Sequence, residues 1–113
     1  MATSTYKRLG AAQGNGVIGT AANIYTCPTA TAAVVSTINV CNTSSTAATF
    51  TIGISTASAT YQAAGYLFYQ VSLAGNDSFT ATIGATLDAT NKYLVASSSA
   101  STVSFSVFGS EIA

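Results

Sequence analysis

The chain contains no histidine and no tryptophan, a single proline, and six charged residues in 113. The charged set is Lys7, Arg8, Asp77, Asp88, Lys92 and Glu111. Without histidine there is no imidazole to act as a base near neutral pH, and none to ligate a metal. Two cysteines and three carboxylates, scattered along the chain, show no metal-ligand spacing. No metal and no cofactor is therefore expected. Hydroxyl side chains abound, but no base stands ready to activate one. No catalytic residue emerges, and the chain reads as a non-enzyme. Three cations cannot build a basic patch, so nucleic acid is not an expected partner. No stretch of about 20 apolar residues exists, so no membrane partner is expected either. Lys7 and Arg8 could open a signal peptide, but Gln13, Gly14, Asn15 and Gly16 break the apolar segment that should follow. The chain reads as soluble and unprocessed.

What is present is small and neutral. Ala, Ser and Thr make up roughly half of the residues, against the usual spread of types. The net charge is zero and the mean hydropathy is +0.45. Such a surface is poor at keeping one copy apart from the next. It makes more sense if an assembly covers much of it, and a homo-oligomer is expected.

One segment imitates a nucleotide site. "GNGVIG", Gly14 to Gly19, fits the G-x-G-x-x-G dinucleotide fingerprint at every position. The fingerprint needs a buried strand before it, a helix after it, and an acidic residue about 20 positions on. Before it stands the polar "YKRLGAAQ"; after it "TAANIYTCP" lacks a helical period and runs into Pro28. No Asp or Glu lies between Gly19 and Asn76. The segment reads as a loop joining an N-terminal arm to a β domain.

The dominant period is two. "TFTIGIS" sets Phe50, Ile52 and Ile54 against Thr49, Thr51, Gly53 and Ser55. "STVSFSVFG" sets Val103, Phe105 and Val107 against Thr102, Ser104 and Ser106. "SFTATIG" sets Phe79, Ala81 and Ile83 against Ser78, Thr80 and Thr82. "VVSTINVC" puts Val34, Ser36, Ile38 and Val40 on one face and Val35, Thr37, Asn39 and Cys41 on the other. "GYLFYQVSL" puts Leu67, Tyr69, Val71 and Leu73 opposite Tyr66 and Phe68. "NIYTC" and "KYLVASS" complete seven strands, and "TYKRL" is a candidate eighth, on an edge. Turn-rich segments ("CPTATA", "NTSST", "AGND", "LDATN", "SSAS") separate the runs. The fold class is all-β: an antiparallel, jelly-roll-like β-sandwich of seven to eight strands. Residues 1–16 read as an N-terminal arm and 17–113 as one sandwich domain. The longer connection "ISTASATYQAAG" is expected to cross between sheets.

Several residues invite a role. Asp77 and Asp88 could form a carboxylate pair, but both lie in strong turn contexts. Cys27 and Cys41 read as small buried hydrophobes, a bridge needing neighbouring strands. Two sequons, at Asn42 and Asn76, read as polar turns. Tyr61, Tyr66, Tyr69 and Tyr93 read as core or interface residues, with sugar or base stacking as the sharper alternative. Tyr6, Lys7 and Arg8 lie on the arm, and Phe108, Glu111 and Ile112 close the chain. These six form the candidate interface. Phe108 falls off the Val103/Phe105/Val107 face, which leaves it to a neighbouring subunit or to a second inner face.

"YKRLGA", "NIYTCP", "AVVSTINVCNTSSTAATFTIGI", "YLFYQVSLAGNDSFTATIGATLDATN" and "VSFSVFGSEI", taken in order, resemble a group of small virion-associated proteins of tailed bacteriophages, of the marine and cyanobacterial type. The resemblance covers nearly the whole chain. It implies a structural role in the virion after assembly in the host cytoplasm. It also implies the major capsid protein, or other virion proteins, as partners. An apolar residue, often Val, stands at the position of Cys27 in that group, so the resemblance implies no Cys27–Cys41 bridge. Head decoration (cement) proteins are one such component. Three readings follow: a decoration protein that binds and stabilises the shell; a tail, baseplate or fibre-associated subunit; and a carbohydrate-binding adhesin using Tyr61, Tyr66 or Tyr93.

Overall fold

A computed structural model describes residues 4–13, 16 and 21–112. Eight strands form, with no helix among the described residues. They are β1 (Ser4–Gln13), β2 (Ala22–Thr26), β3 (Ala32–Asn42), β4 (Ala48–Ser55), β5 (Tyr66–Leu73), β6 (Ser78–Leu87), β7 (Tyr93–Ser98) and β8 (Val103–Ile112). Sheet I has the order β1-β8-β3-β6 and sheet II the order β2-β7-β4-β5. Every pairing is antiparallel. The pairs β1·β8, β2·β7, β3·β6 and β4·β5 nest inside one another, as in a long hairpin rolled up on itself. The pairings β8·β3 and β7·β4 lock the roll. This is the strand order of a jelly roll, a double-sheet answer to the problem of open sheet edges.

The alternating faces meet between the sheets. Phe50, Ile52, Leu94 and Ala96 from sheet II pack on Val35, Ile38, Val40, Phe105 and Val107 from sheet I. Phe50 is the hub, with ring centroids 5.4 Å from Phe79 and 6.4 Å from both Phe68 and Phe105. The phases read for β6 and β8 hold along both strands. Two strands change phase part-way. In β3 the register slips between Val35 and Thr37, so an extra residue enters the strand. Val35 is therefore buried beside Ile38 and Val40, and Val34 turns outward, the reverse of a strict alternation. In β5 the register skips between Val71 and Phe68. Gln70 takes a left-handed φ of 48° there, and its N–H bonds Thr51 Oγ1 at 2.9 Å. Phe68, Val71 and Leu73 consequently share the inner side, whereas Leu67 and Tyr69 stay exposed.

Two further expectations change. The candidate edge strand at "TYKRL" forms and is longer than read: Ser4 to Gln13, within the stretch expected as an arm over 1–16, is strand β1, hydrogen-bonded along β8 at the edge of sheet I. The connection from Thr56 to Gly65 does not cross between sheets. It joins β4 to β5 within sheet II, the only consecutive pair of strands to share a sheet. It folds back over that sheet's outer face instead. Tyr61 Oη bonds Thr51 O at 3.0 Å and Ser97 Oγ at 2.7 Å. Beyond it, Asn23 on the far strand β2 bonds Ser58 Oγ and the Ala59 N–H, both at 2.9 Å. Gly53 leaves room for this flap: a Cβ there would stand 3.1 Å from Gly65 O, a tight contact.

The turns gather at two ends. Asn42 organises one of them: its amide donates to Thr46 O at 2.8 Å, and its Oδ1 accepts from Ser44 N–H and Thr102 Oγ1. Being 1% exposed, Asn42 is closed to glycosylation despite its sequon. At the other end, Cys27 N–H bonds Lys92 O at 2.7 Å, tying the β2–β3 and β6–β7 turns.

Candidate functional site

The six candidate interface residues all fall on β1 and β8, but on two faces. Directly opposed residues of an antiparallel pair share a face. Ser4 opposes Ile112, Tyr6 opposes Ser110 and Arg8 opposes Phe108. Val107 and Phe105 are core, so Phe108 and Ile112 point outward, and Tyr6 and Arg8 with them. Thr5 opposes Glu111 and Lys7 opposes Gly109 on the other face. Lys7 and Glu111 are thus turned toward sheet II. Lys7 Nζ lies 2.8 Å from Glu111 Oε1, and Tyr25 of β2 donates its hydroxyl to Glu111 Oε2. These contacts clasp the two sheets at the β1 edge. The Lys7 and Tyr25 bonds hold the Glu111 carboxyl below its usual range, and burial followed by the Glu111 contact pushes the Tyr25 hydroxyl well up.

The outer face of sheet I is the surface on which Tyr6, Arg8, Phe108 and Ile112 meet. The register lays out its rows. Tyr6, Ser110, Val34 and Thr86 form one; Arg8, Phe108, Thr37 and Thr82 the next. Ala11, Ser106, Asn39 and Thr80 follow, then Gln13, Ser104, Cys41 and Ser78. Tyr6 reaches across β8 to Ser36 on β3, with the two hydroxyls 2.8 Å apart. Arg8 is the one charged residue in these rows. Ser, Thr and Ala hold most of the remainder. Small side chains lose little rotamer freedom when covered, and a face without Lys or Glu has few ions to desolvate. Such a face costs little to cover.

The catalytic possibilities do not assemble. Asp77 sits in the β5–β6 turn and Asp88 in the β6–β7 turn, at opposite ends of β6. That strand has 10 residues, a span of roughly 33 Å, so they form no carboxylate pair. Cys27 and Cys41 are free. Burial raises the Cys27 thiol, whose S–H lies 3.2 Å from Thr31 O, so it is no ready nucleophile. Among the described residues no group of three His, Cys, Asp or Glu could hold a metal. No helix among them is long and apolar enough to cross a membrane. Of "GNGVIG", only Gly16 lies within the described residues.

A second feature lies at the opposite edge, where β5 and β6 adjoin. An open cavity of about 380 Å³ separates the end of the β4–β5 flap from the β6–β7 turn. Tyr66 and Leu67 wall it on one side; Thr86, Asp88 and Asn91 line the other. Asp88 Oδ1 accepts the N–H of Thr90 at 2.9 Å and of Asn91 at 2.8 Å, which holds its carboxyl below the usual range. Tyr66 stacks on Tyr61 at 5.2 Å and meets Tyr69 edge-on at 5.0 Å. Tyr93 lies apart, with Lys92 Nζ 5.5 Å above its ring. From the sequence Asp88 reads as a turn residue or as half of a pair with Asp77, and neither reading points to a cavity. The "DATN" spacing does carry that turn, but the cavity arises from the neighbouring flap, whose path no local signal encodes.

No protein-family model matches the chain, and a search of curated proteins returned no match.

Proposed function

We propose that this protein is a non-enzymatic structural subunit of a tailed-phage virion, a decoration protein that docks on the major capsid shell and stabilises it. The outer face of sheet I carries the reading. It offers rows of Ser, Thr and Ala across four strands, anchored at one edge by Tyr6, Arg8, Phe108 and Ile112. The resemblance of the ordered segments to virion-associated phage proteins points the same way. The jelly-roll order agrees by analogy, since that architecture recurs in viral capsid proteins, but also in lectins and cupins. Weak contacts of this kind become firm when an oligomer engages several shell subunits at once.

The docking face can be tested by co-sedimentation with phage heads stripped of the protein. Ser106 and Thr37 lie mid-face, and Arg at either adds a bulky cation without touching the core. S106R and T37R should keep the wild-type melting temperature and lose head binding. Wild-type binding by both variants would rule this face out.

A further inference from the structure

The cavity at the β5–β6 edge carries chemistry that shell docking does not use. One wall is apolar: Leu67 is 36% exposed, and Tyr66 is 39% exposed with its ring stacked on Tyr61 and edge-on to Tyr69. The opposite rim is polar, with Asp88, Asn91 and Thr86. The two backbone N–H groups on Asp88 Oδ1 fix the carboxylate in place. Among the described residues no protein group bonds its Oδ2, which leaves an ionised acceptor for a ligand. No cation lines the cavity. A phosphate or another anion would therefore meet a like charge with nothing to neutralise it. A wholly apolar ligand would strip water from the carboxylate and return no hydrogen bond. A metal ion would find a single carboxylate where several oxygen ligands are needed.

Two classes remain. An organic cation would use the carboxylate and the ring but leave the Asn91 amide donor idle. A ligand with hydroxyl groups around its edge and C–H groups on its faces uses the carboxylate, the amide and the apolar wall together. We propose that this cavity binds a neutral saccharide unit. Asp88 accepts one or two ligand hydroxyls at Oδ2, Asn91 donates and accepts through its amide, and Tyr66 and Leu67 cover the C–H face. An ionised acceptor makes hydrogen bonds roughly twice as strong as a neutral one, so Asp88 dominates recognition. At about 380 Å³ the cavity is near the small end of ligand pockets, which suits one sugar unit of a longer chain. This inference stands on the cavity alone and is independent of where the protein sits on a particle.

The test is an NMR titration of the isotope-labelled full chain. The probes are methyl glycosides of glucose, galactose, mannose and N-acetylglucosamine, in both anomers, at concentrations up to the order of 10 mM. At least one should give saturable shifts centred on residues 62–67 and 86–91. Asp88→Asn should weaken that binding about tenfold or more. Its melting temperature should hold, because the amide Oδ1 still accepts from Thr90 and Asn91. Asn91→Ala, which leaves the turn's backbone bonds in place, should weaken binding as well and guards against a folding defect in the first variant. No shift with any probe, shifts elsewhere on the surface, or wild-type affinity in both variants would overturn the assignment.

Discussion

Thr80, Thr82 and Thr86 stand in solvent on the outer face of sheet I, whereas Thr51, Ser55 and Ser97 on the outer face of sheet II are buried. Thr51 and Ser55 alternate with apolar residues along β4 just as the threonines do along β6. The difference comes from one segment. The flap from Thr56 to Gly65 lies across sheet II from β4 to β2, pinned by Tyr61 over Thr51 and Ser97 and by Asn23 at the far edge. It also covers Val95, an outward-facing apolar residue with no exposure. Among the described residues sheet I has no such cover. A polar residue in a strand therefore reports only that it does not face the core; whether it meets water, a flap or another protein is set elsewhere. Among the described residues one outer face is closed by the chain itself and the other is open, which is the face proposed above for docking.

The sharpest break in the comparison is Tyr61→Ala. It removes the ring that covers sheet II, and unfolding in urea should show a loss of about 3 kcal/mol. A loss under about 0.5 kcal/mol would mean that the flap does not hold the sheet. Tyr61→Phe keeps the ring and deletes its two hydrogen bonds, so the expected loss falls to about 1–1.5 kcal/mol.

The clasp at the β1 edge should contribute less and depend on pH. Glu111 has its folded pKa lowered, so its stabilisation is complete above the unfolded value of about 4.3 and fades as pH falls through the folded value. Part of the carboxylate is open to solvent, which limits the pair to about 1 kcal/mol or less. The stability gap between wild type and Glu111→Gln should be constant at neutral pH and shrink in acid below about pH 4. A gap that widens in acid would assign the wrong sign to the clasp. The smallest effect belongs to the open face. Thr82→Ala should change stability by no more than about 0.5 kcal/mol in the free protein. A larger loss would mean that sheet I is covered within its own chain.

Much of this was legible in the residues. β6 and β8 alternate without a fault, so Phe79, Ala81, Ile83, Val103, Phe105 and Val107 fell on their observed faces. β3 and β5 did not, because a bulge at Ser36 and another at Tyr69–Gln70 reverse the phase, and neither leaves a local signature such as glycine. The flap was misread as a crossover because its length was visible but its anchors were not. Tyr61 finds Ser97, 36 positions away, only once β7 has paired with β4. The six residues expected at an interface were read as an arm and a chain end; that they lie side by side on β1 and β8 follows only from the pairing of those strands. Their division into an outward set and the Lys7–Glu111 clasp needed the register of the two strands.

The most direct test of the central claim is the copy number of this protein in purified particles of the phage that, on the proposed reading, encodes it. Quantitative mass spectrometry against the major capsid protein supplies it. The account predicts about one copy per shell subunit, or about one per three if a trimer binds each shell site. A few copies to a few dozen per particle would contradict the decoration role and move the protein to the neck, tail or fibres. Its absence from the particle would contradict the structural reading itself.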